Sequence, residues 1–434
     1  MCARLIPLVL VLCAVLAALP AAADTAPDEF AAIDAHAVAA PASVADSVST
    51  LSAYLTGPAQ NDREKARAIF RWITDNVAYD PSADGFGFSP TAVLRSRRAV
   101  CLGYAVLFQA LADAAGMKAD LIFGHSKDLK PGTADGPDGW ENHSWNAVQI
   151  DGQWRLLDCC WGAGHYDEQG AFVQTFTPHY FLTAPEDFAY DHLPTDPSWQ
   201  LLDQPMSRAD YQERVHVKPA FFDCGLRPVT HPSYRIDAGN SVELVIAAPP
   251  QTYLNALLYR NETPLEDHYT FAQRCPEGYR VQALFPSEGV YTLRIFARRA
   301  DATYGEYVSA LDYEVRAASG QTDAVGFPLA YEAFLANQCE LERPLSHSLT
   351  PRQEVEFSLT APNAAEVIVT TGGSWRRLSA EDGRFTGTVP VSLGDIYVFA
   401  RFADKTTYEG LLRYSGQPST RAAESAHPDS AGLS

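Results

Sequence analysis

The stretch Ala99-Val100-Cys101-Leu102-Gly103-Tyr104 leads into an apolar run whose spacing predicts a helix that begins at Cys101. Downstream, Asn142-His143-Ser144-Trp145-Asn146 opens a predicted strand, and Trp154-Arg155-Leu156-Leu157-Asp158 closes the next one. The intervals are 42 residues from Cys101 to His143 and 15 residues from His143 to Asp158. We interpret these three residues as a Cys-His-Asp constellation.

Each of the three residue types has a role in thiol chemistry. A cysteine attacks only as its thiolate, and the N-terminus of a helix favours that charge. His143 would take the thiol proton and later donate it to a leaving group, while Asp158 would fix the tautomer of the imidazole. The backbone N–H of Cys101 would be the first donor of an oxyanion hole.

The surrounding pattern predicts an α+β domain in which helices pack on an antiparallel sheet. Residues 144–150 and 153–157 read as strands joined by a turn at Asp151-Gly152, so His143 and Asp158 would face each other with an offset of a residue or two. A helix with Asp62 as its N-cap precedes them, and residues 119–123 read as a buried strand.

The first residues resemble a secretory signal peptide. Arg4 supplies a positive charge, residues 5–19 are apolar, and Ala21-Ala22-Ala23 offers a cleavage site. The alternative is a membrane anchor, but a span needs roughly 20 apolar residues. We expect an exported protein, periplasmic or secreted, with no membrane span after cleavage. The cell envelope, with which the protein would associate, is one of the expected partners.

Composition excludes one class of partner. The chain of 434 residues carries 33 basic and 53 acidic residues, a net charge of −20, which is unfavourable for binding nucleic acid.

Six cysteines follow the predicted signal peptide, too few for a disulfide scaffold in a chain of this length. One bridge among Cys224, Cys275 and Cys339 remains open, with the partners undetermined.

The C-terminal half contains an internal repeat that predicts two tandem Ig-like β-sandwiches. Cys224-Gly225-Leu226 parallels Cys339-Glu340-Leu341, and Phe296-Ala297-Arg298 parallels Phe399-Ala400-Arg401. The predicted organisation is a signal peptide (1–23), a flexible lead-in (24–40), a catalytic domain (41–205), two sandwiches (206–318 and 325–416) and a disordered tail (417–434).

Three tryptophans are candidate substrate-binding residues. Trp145 and Trp161 flank the proposed histidine and aspartate, where they would shield the ion pair or line the acyl site, and Trp140 would border the cleft. Packing in the core is the alternative for each of them. The loop over residues 127–139 delivers His143 and is the expected source of specificity.

We expect no cofactor and no metal. The four residues that most suggest a metal site match no compact zinc pattern, and their aromatic neighbours favour packing. These four are His179, Asp187, Asp191 and His192.

The motifs together resemble those of the transglutaminase-like superfamily, in particular the branch with the kyphoscoliosis peptidase and its bacterial relatives. The resemblance rests on Arg67-Ala68-Ile69-Phe70-Arg71-Trp72-Ile73, on the Cys101 and His143 motifs, and on Leu157-Asp158-Cys159-Cys160-Trp161. It covers residues 34–202 well and the sandwiches more loosely. It implies a papain-like arrangement that acts on amide bonds through a thioester.

Three functions remain open at this point. The preferred one is a cysteine hydrolase, a peptidase whose partner is a protein or peptide substrate. The second has the same chemistry but transfers the acyl group to an amine and cross-links proteins. The third is a binding or scaffold protein in which the triad is inactive.

Overall fold

The computed structural model describes residues 29–82, 89–127, 140–166, 171–300, 307–321 and 326–417. The predicted signal peptide, residues 128–139 of the predicted specificity loop and residues 418–434 of the predicted tail lie outside the described residues. Within those ranges, no helix has the length and the apolar composition that crossing a membrane requires.

The N-terminal unit combines helices with one four-stranded antiparallel sheet in the order β5-β4-β3-β8. Its helices are α1 (Ala31–Val38), α2 (Val48–Thr56), α3 (Asp62–Asn76), α4 (Pro90–Ser96), α5 (Cys101–Ala114), α6 (Cys159–Ala163) and α7 (Pro185–Phe188). Its strands are β1 (Ala78–Tyr79), β2 (Arg98–Ala99), β3 (Ala119–Ser126), β4 (His143–Ile150), β5 (Gln153–Leu157), β6 (Gly164–Tyr166), β7 (Phe172–Gln174) and β8 (His192–Pro194).

The flexible lead-in predicted for residues 24–40 is wrong for the part that forms α1. Ile33 and Ala37 of this helix are buried in the core. Asp34 accepts two hydrogen bonds of 2.7 Å from Arg67 of α3, whose side chain is only 5% exposed. The segment is polar and rich in alanine, and nothing in its own composition indicates that Asp34 binds Arg67, which lies 33 residues further along the chain.

Helix α3 begins one residue earlier than expected. Asn61, not Asp62, is the N-cap, because its side-chain oxygen accepts from the N–H of Glu64. Asp62 is instead the first helical residue, where its negative charge interacts favourably with the positive end of the helix dipole. The predicted apolar face is confirmed, since Ala66, Ile69, Phe70 and Ile73 are fully buried.

The β4–β5 hairpin forms as predicted around a tight turn. Asp151 and Gly152 both have positive φ, and Ile150 pairs with Gln153. The predicted alternation of β4 is absent, because nearly all of its residues are buried. Asn146 donates to the carbonyl of Ala105 in α5, and Trp145 packs on Phe188, so both faces of the strand are covered.

The first sandwich follows the N-terminal unit. Two sheets, in the orders β10-β12-β16-β15 and β11-β18-β17-β13-β14 with β9 beside β18, share one apolar core. Its helices are α8 (Arg208–Glu213) and α9 (Pro219–Asp223). Its strands are β9 (His216–Val217), β10 (Arg227–Pro228), β11 (Arg235–Ala238), β12 (Ser241–Ala247), β13 (Thr252–Arg260), β14 (Thr263–Pro264), β15 (Thr270–Cys275), β16 (Gly278–Leu284), β17 (Gly289–Arg299) and β18 (Val308–Ala317).

The second sandwich repeats this topology, with sheets in the orders β20-β22-β26-β25 and β19-β28-β27-β23-β24, and with β21 beside β28. Its elements are α10 (Glu332–Ala336), β19 (Leu329–Ala330), β20 (Glu340–Arg343), β21 (Ser348–Leu349), β22 (Glu354–Thr360), β23 (Ala364–Thr371), β24 (Ser374–Arg377), β25 (Ser379–Glu381), β26 (Arg384–Pro390), β27 (Gly394–Phe402) and β28 (Glu409–Gly416). The predicted fold class, an α+β core followed by Ig-like sandwiches, is confirmed.

The bridge that the sequence allowed in the C-terminal half does not form. Cys275 at the end of β15 and Cys339 just before β20 are both free thiols in the described part of the chain. Neither is therefore bonded to Cys224, and each sandwich is held together by its apolar core.

Candidate active site

Cys101 is the first residue of α5, and contacts on both sides of it fix its position. Before it, β2 pairs in parallel with β1, which places Ala99 opposite Tyr79. After it, the hydroxyl of Tyr104 donates to the carbonyl of Val77 at 2.6 Å. A Cβ on Gly103 would lie 2.6 Å from the side chain of Ala99, so the first turn packs too closely for any larger residue.

His143 is the first residue of β4, opposite Gly124 of β3. The preceding residue, Asn142, anchors this end of the strand. Its side-chain oxygen accepts from the N–H of Ser126, and its amide donates to the carbonyl of the same residue. The side chain of Asn142 thus extends the ladder where the backbone pairing ends, a role that the sequence alone did not reveal.

Asp158 follows the last residue of β5 and caps α6. Its Oδ1 accepts from the N–H groups of Cys160 and Trp161 at 2.7 and 3.2 Å. The strand register pairs Asn146 with Leu157, so Asp158 is offset by two residues from a position directly opposite His143. This offset lies within the range that the sequence predicted.

The structure brings His143 and Asp158 into direct contact. Nε2 of His143 lies 2.7 Å from Oδ2 of Asp158, and both side chains are almost fully buried. Burial opposes the charged form of His143, but the negative charge and hydrogen bond of Asp158 outweigh it and raise its pKa to about 10. Burial also opposes ionisation of Asp158, yet His143 holds the pKa of that carboxyl well below its usual range.

Nδ1, the other ring nitrogen of His143, is the atom left to face the Cys101 thiol, because Nε2 is bonded to Asp158. Nδ1 makes no hydrogen bond of normal geometry within the described residues. Cys101 and His143 are nevertheless close enough to shift each other's pKa. Burial raises the pKa of the partly buried Cys101 thiol, but the proximity and charge of His143 outweigh burial and lower it overall. Ser144 lowers it further.

Neighbouring thiols behave differently from Cys101. Cys159 and Cys160 lie directly after Asp158 and are buried. Burial, together with the negative charge of Asp158, raises the pKa of both thiols well above the ordinary value. Within this cluster of three thiols, Cys101 is therefore the one whose pKa is lowered, which favours its thiolate form.

The three predicted tryptophans occupy different places. The rings of Trp145 and Trp161 lie 5.9 and 5.6 Å from the imidazole of His143. Trp145 is buried, whereas Trp161 is partly exposed. Trp140 instead stacks on His125 at 4.0 Å, with the guanidinium of Arg208 on its ring. A role of any of these residues in substrate binding stays a prediction.

Sequence reasoning missed the part that Asp191 and His192 play. We assigned both to packing, yet Nε2 of His192 lies 3.1 Å from Oδ2 of Asp158, and its Nδ1 lies 2.6 Å from Oδ1 of Asp191. An adjacent Asp-His pair between Phe188 and Leu193, inside an aromatic stretch, was the available signal. His179, which the same argument covered, stacks on Phe222 of the first sandwich.

His143, Asp158 and His192 also place three potential metal-ligating atoms within 4.8 Å of one another. The distances from Oδ2 of Asp158 to the two Nε2 atoms are those of charge-assisted hydrogen bonds. Two ligands of one tetrahedral zinc ion would lie about 3.3 Å apart, longer than the 2.7 Å between His143 and Asp158. The geometry therefore fits a hydrogen-bonded network better than a metal site.

Sequence comparisons agree with this geometry. Residues 49–159 match the Transglutaminase-like superfamily, and residues 208–328 match the KY-like, immunoglobulin-like domain. The chain contains a transglutaminase-like domain. All three residues of the proposed triad lie inside the first matched segment, and the KY-like, immunoglobulin-like domain covers the first sandwich.

Curated relatives share this combination over part of their length. Kyphoscoliosis peptidase of Mus musculus is 29% identical over 337 residues, which cover 74% of this chain and 50% of the mouse protein. The Homo sapiens protein is 31% identical over 266 residues, 59% of this chain and 39% of that protein. Hillarin of Drosophila melanogaster is 34% identical over 219 residues, 46% of this chain and 26% of the fly protein. The chain thus spans half or less of the length of these relatives.

Among solved structures, a putative cysteine protease from Cytophaga hutchinsonii is 25% identical to this chain over the matched region. The match covers 30% of this chain and 42% of that one, with a TM-score of 0.23.

Proposed function

We propose that this protein is an exported thiol-dependent amide hydrolase, a peptidase acting on proteins or peptides, with Cys101, His143 and Asp158 as its reacting group. The observation that carries the proposal is the orientation of His143. One ring nitrogen is fixed by Asp158, and the other makes no normal hydrogen bond within the described residues and is open to the Cys101 thiol. Proton transfer between a thiol and a leaving group requires an imidazole of this kind, with one nitrogen held by a carboxylate and the other free to exchange the proton.

In the first half-reaction, the Cys101 thiolate attacks the amide carbonyl carbon and forms a C–S bond. The negative oxygen would be held by the N–H of Cys101 at the start of α5, since the N–H groups of Gly103 and Tyr104 already donate to the carbonyl of Val100. The imidazolium of His143 then donates its proton to the amide nitrogen. The C–N bond breaks, the amine leaves, and a thioester remains on Cys101.

In the second half-reaction, neutral His143 removes a proton from water, and the resulting hydroxide attacks the thioester. The C–S bond breaks, an acid is released, and the Cys101 thiolate and the His143 imidazolium are restored. Water is the acceptor in this proposal, because Cys101 is not fully buried and an amine would have to compete with water that reaches it.

The testing experiment is unbiased peptide-library profiling of the mature protein beside its Cys101→Ala variant. We expect cleavage by the native protein, a thioester adduct on Cys101 detectable by mass spectrometry after acid quench, and neither with the variant. Cleavage by Cys101→Ala at the native rate would overturn the proposal. Incorporation of a labelled primary amine without hydrolysis would replace it with acyl transfer.

Export is tested separately, by comparing the N-terminus of the protein recovered from the medium and the envelope with that of the cytoplasmic fraction. We expect the extracytoplasmic protein to begin near Asp24. A full-length protein confined to the cytoplasm would overturn this part of the proposal.

A further inference from the structure

A second imidazole lies behind the proposed triad. His192 begins β8, and each of its ring nitrogens faces a carboxylate, Nε2 facing Asp158 at 3.1 Å and Nδ1 facing Asp191 at 2.6 Å. An ionised carboxylate only accepts hydrogen bonds, and a neutral imidazole carries only one N–H. Both contacts are satisfied only when His192 is protonated on both nitrogens.

The remaining contacts of Asp191 hold its carboxyl group and its backbone in place. Its Oδ2 accepts from the hydroxyl of Tyr180 at 3.0 Å. Its backbone carbonyl accepts from the hydroxyl of Tyr211, in α8 of the first sandwich, at 2.7 Å. Asp191 is buried, and a buried anion persists only where a positive charge and hydrogen bonds compensate for lost hydration.

We propose that His192 is a permanently cationic positioning residue, which shares the carboxylate of Asp158 with His143 and thereby controls how firmly His143 keeps its proton. The inference rests on the proposed function, because it assigns the proton of His143 a role in the reaction. Asp158 alone would hold that proton more tightly and make its release to a leaving amine less favourable. A second cation on the same oxygen weakens this attraction.

The environment of His192 supports a buried cation. The ring of Phe188 stacks on it at 4.1 Å, and Trp161 and Trp145 lie 4.6 and 5.0 Å away. Of these rings, Phe188 presents its face to His192, the arrangement that stabilises a cation. The three rings also exclude water, which strengthens the attraction of His192 to the two carboxylates.

Among the described residues, the polar and titratable groups that face His192 come from several elements packed against it. β4 contributes His143, and the residue after β5 is Asp158. β3 contributes Ser126, which is paired with His192 in the sheet, and the neighbouring His125. The segment before α7 contributes Tyr180 and His179, and Asp191 precedes β8. Burial lowers the pKa of His192, but Asp191 and Asp158 outweigh it and raise that pKa.

The first arm of the test is site-resolved alkylation of Cys101 by iodoacetamide as a function of pH, in the full chain. His192→Gln keeps a donor for Asp158 but removes the charge, and His192→Phe fills the aromatic cage in case the first variant does not fold. His36→Gln, a histidine in α1 that hydrogen-bonds the carbonyl of Tyr54, is the matched control. The midpoint should rise by about one pH unit in both His192 variants, because one positive charge fewer then stabilises the Cys101 thiolate, and it should stay unchanged in the control.

The second arm is ¹⁵N NMR of histidine-labelled protein, with the His192 signals assigned through whichever variant folds. Both ring nitrogens of His192 should carry a proton at pH 8, a signature that a merely structural histidine would not give. An unprotonated nitrogen on His192 at that pH, or an unshifted midpoint in a folded variant, would overturn the inference. A native Cys101 that is accessible but inert at pH 6 would instead overturn the proposed function, so the two failures are distinguishable.

Discussion

Oδ2 of Asp158 lies 2.7 Å from Nε2 of His143, and the same carboxylate receives two backbone N–H groups on its other oxygen. The backbone bonds come from Cys160 and Trp161 at the start of α6, so the helix fixes the carboxylate before it meets the imidazole. His143 is therefore oriented by an anion that is itself rigidly held, which leaves Nδ1 directed away from Asp158.

Removing the charge of Asp158 should slow the reaction of the Cys101 thiol. Asp158→Asn preserves the shape and the cap of α6 but no longer stabilises the imidazolium of His143. We expect the rate of Cys101 alkylation by iodoacetamide at pH 6 to fall about tenfold or more. Asp196→Asn is the matched control, since Asp196 also accepts a backbone N–H, from Ser198, but lies outside the site. An equal rate in native protein and Asp158→Asn would refute the role of the ion pair.

The contribution of Asp158 to stability should disappear in acid. Burial raises its pKa, but the charge of His143 and hydrogen bonds from His143 and His192 lower it below the ordinary value near 3.8. A carboxyl with a depressed pKa stabilises the fold above its unfolded-state pKa and loses that effect as pH falls toward the folded-state pKa. The difference in unfolding free energy between native protein and Asp158→Asn should thus shrink below about pH 4, by up to about 1.4 kcal/mol per pH unit. Urea unfolding at pH 5, 4 and 3 measures it, and a constant difference would contradict the depressed pKa.

The pairing of α1 with α3 should contribute strongly to stability. Asp34→Ala leaves the guanidinium of Arg67 buried without its bidentate partner, which costs about 3 kcal/mol or more in urea unfolding. Glu29→Ala removes the neighbouring pair with Arg63, whose side chains are about half exposed, and should cost less than about 1 kcal/mol. Equal losses in the two variants would mean that α1 is not docked as described.

Gly124 should be irreplaceable where β3 meets β8. A Cβ there would lie 2.3 Å from the carbonyl of Leu193 and 2.5 Å from the ring of Trp145, so Gly124→Ala must separate the strands. We expect a loss of about 1–3 kcal/mol in unfolding free energy, together with slower alkylation of Cys101, because β8 carries His192. Gly239→Ala, which meets no atom within 4 Å, is the control. Native stability of Gly124→Ala would show that this contact is looser than described.

The sequence was sufficient for the parts of the site that depend on local pattern. The start of α5 at Cys101, the turn at Asp151-Gly152 and the apolar face of α3 all follow from residue spacing and turn preference. The fold class followed for the same reason, because helical periods in the first part of the chain are followed by strand periods in the rest.

Contacts between residues far apart in the sequence could not be predicted from it. The Asp34–Arg67 pair and the contact of His192 with Asp158 join residues 33 and 34 positions apart, and each member looks ordinary in its own segment. The near-complete burial of β4 likewise depends on α5 and on the aromatic segment that carries Phe188. None of these contacts leaves a periodic signal in one sequence.

The most direct test of the account is the pH dependence of Cys101 alkylation in the native protein, followed by mass spectrometry of each cysteine. Cys275 serves as the internal reference, because it is partly exposed and burial raises the pKa of its thiol. We predict that Cys101 reacts readily at pH 6, with a midpoint well below the value near 8.5 of an ordinary thiol, while Cys275 reacts only in alkali. If Cys101 is accessible but titrates together with Cys275 at or above pH 8.5, it is not an activated nucleophile, and the proposed mechanism is wrong.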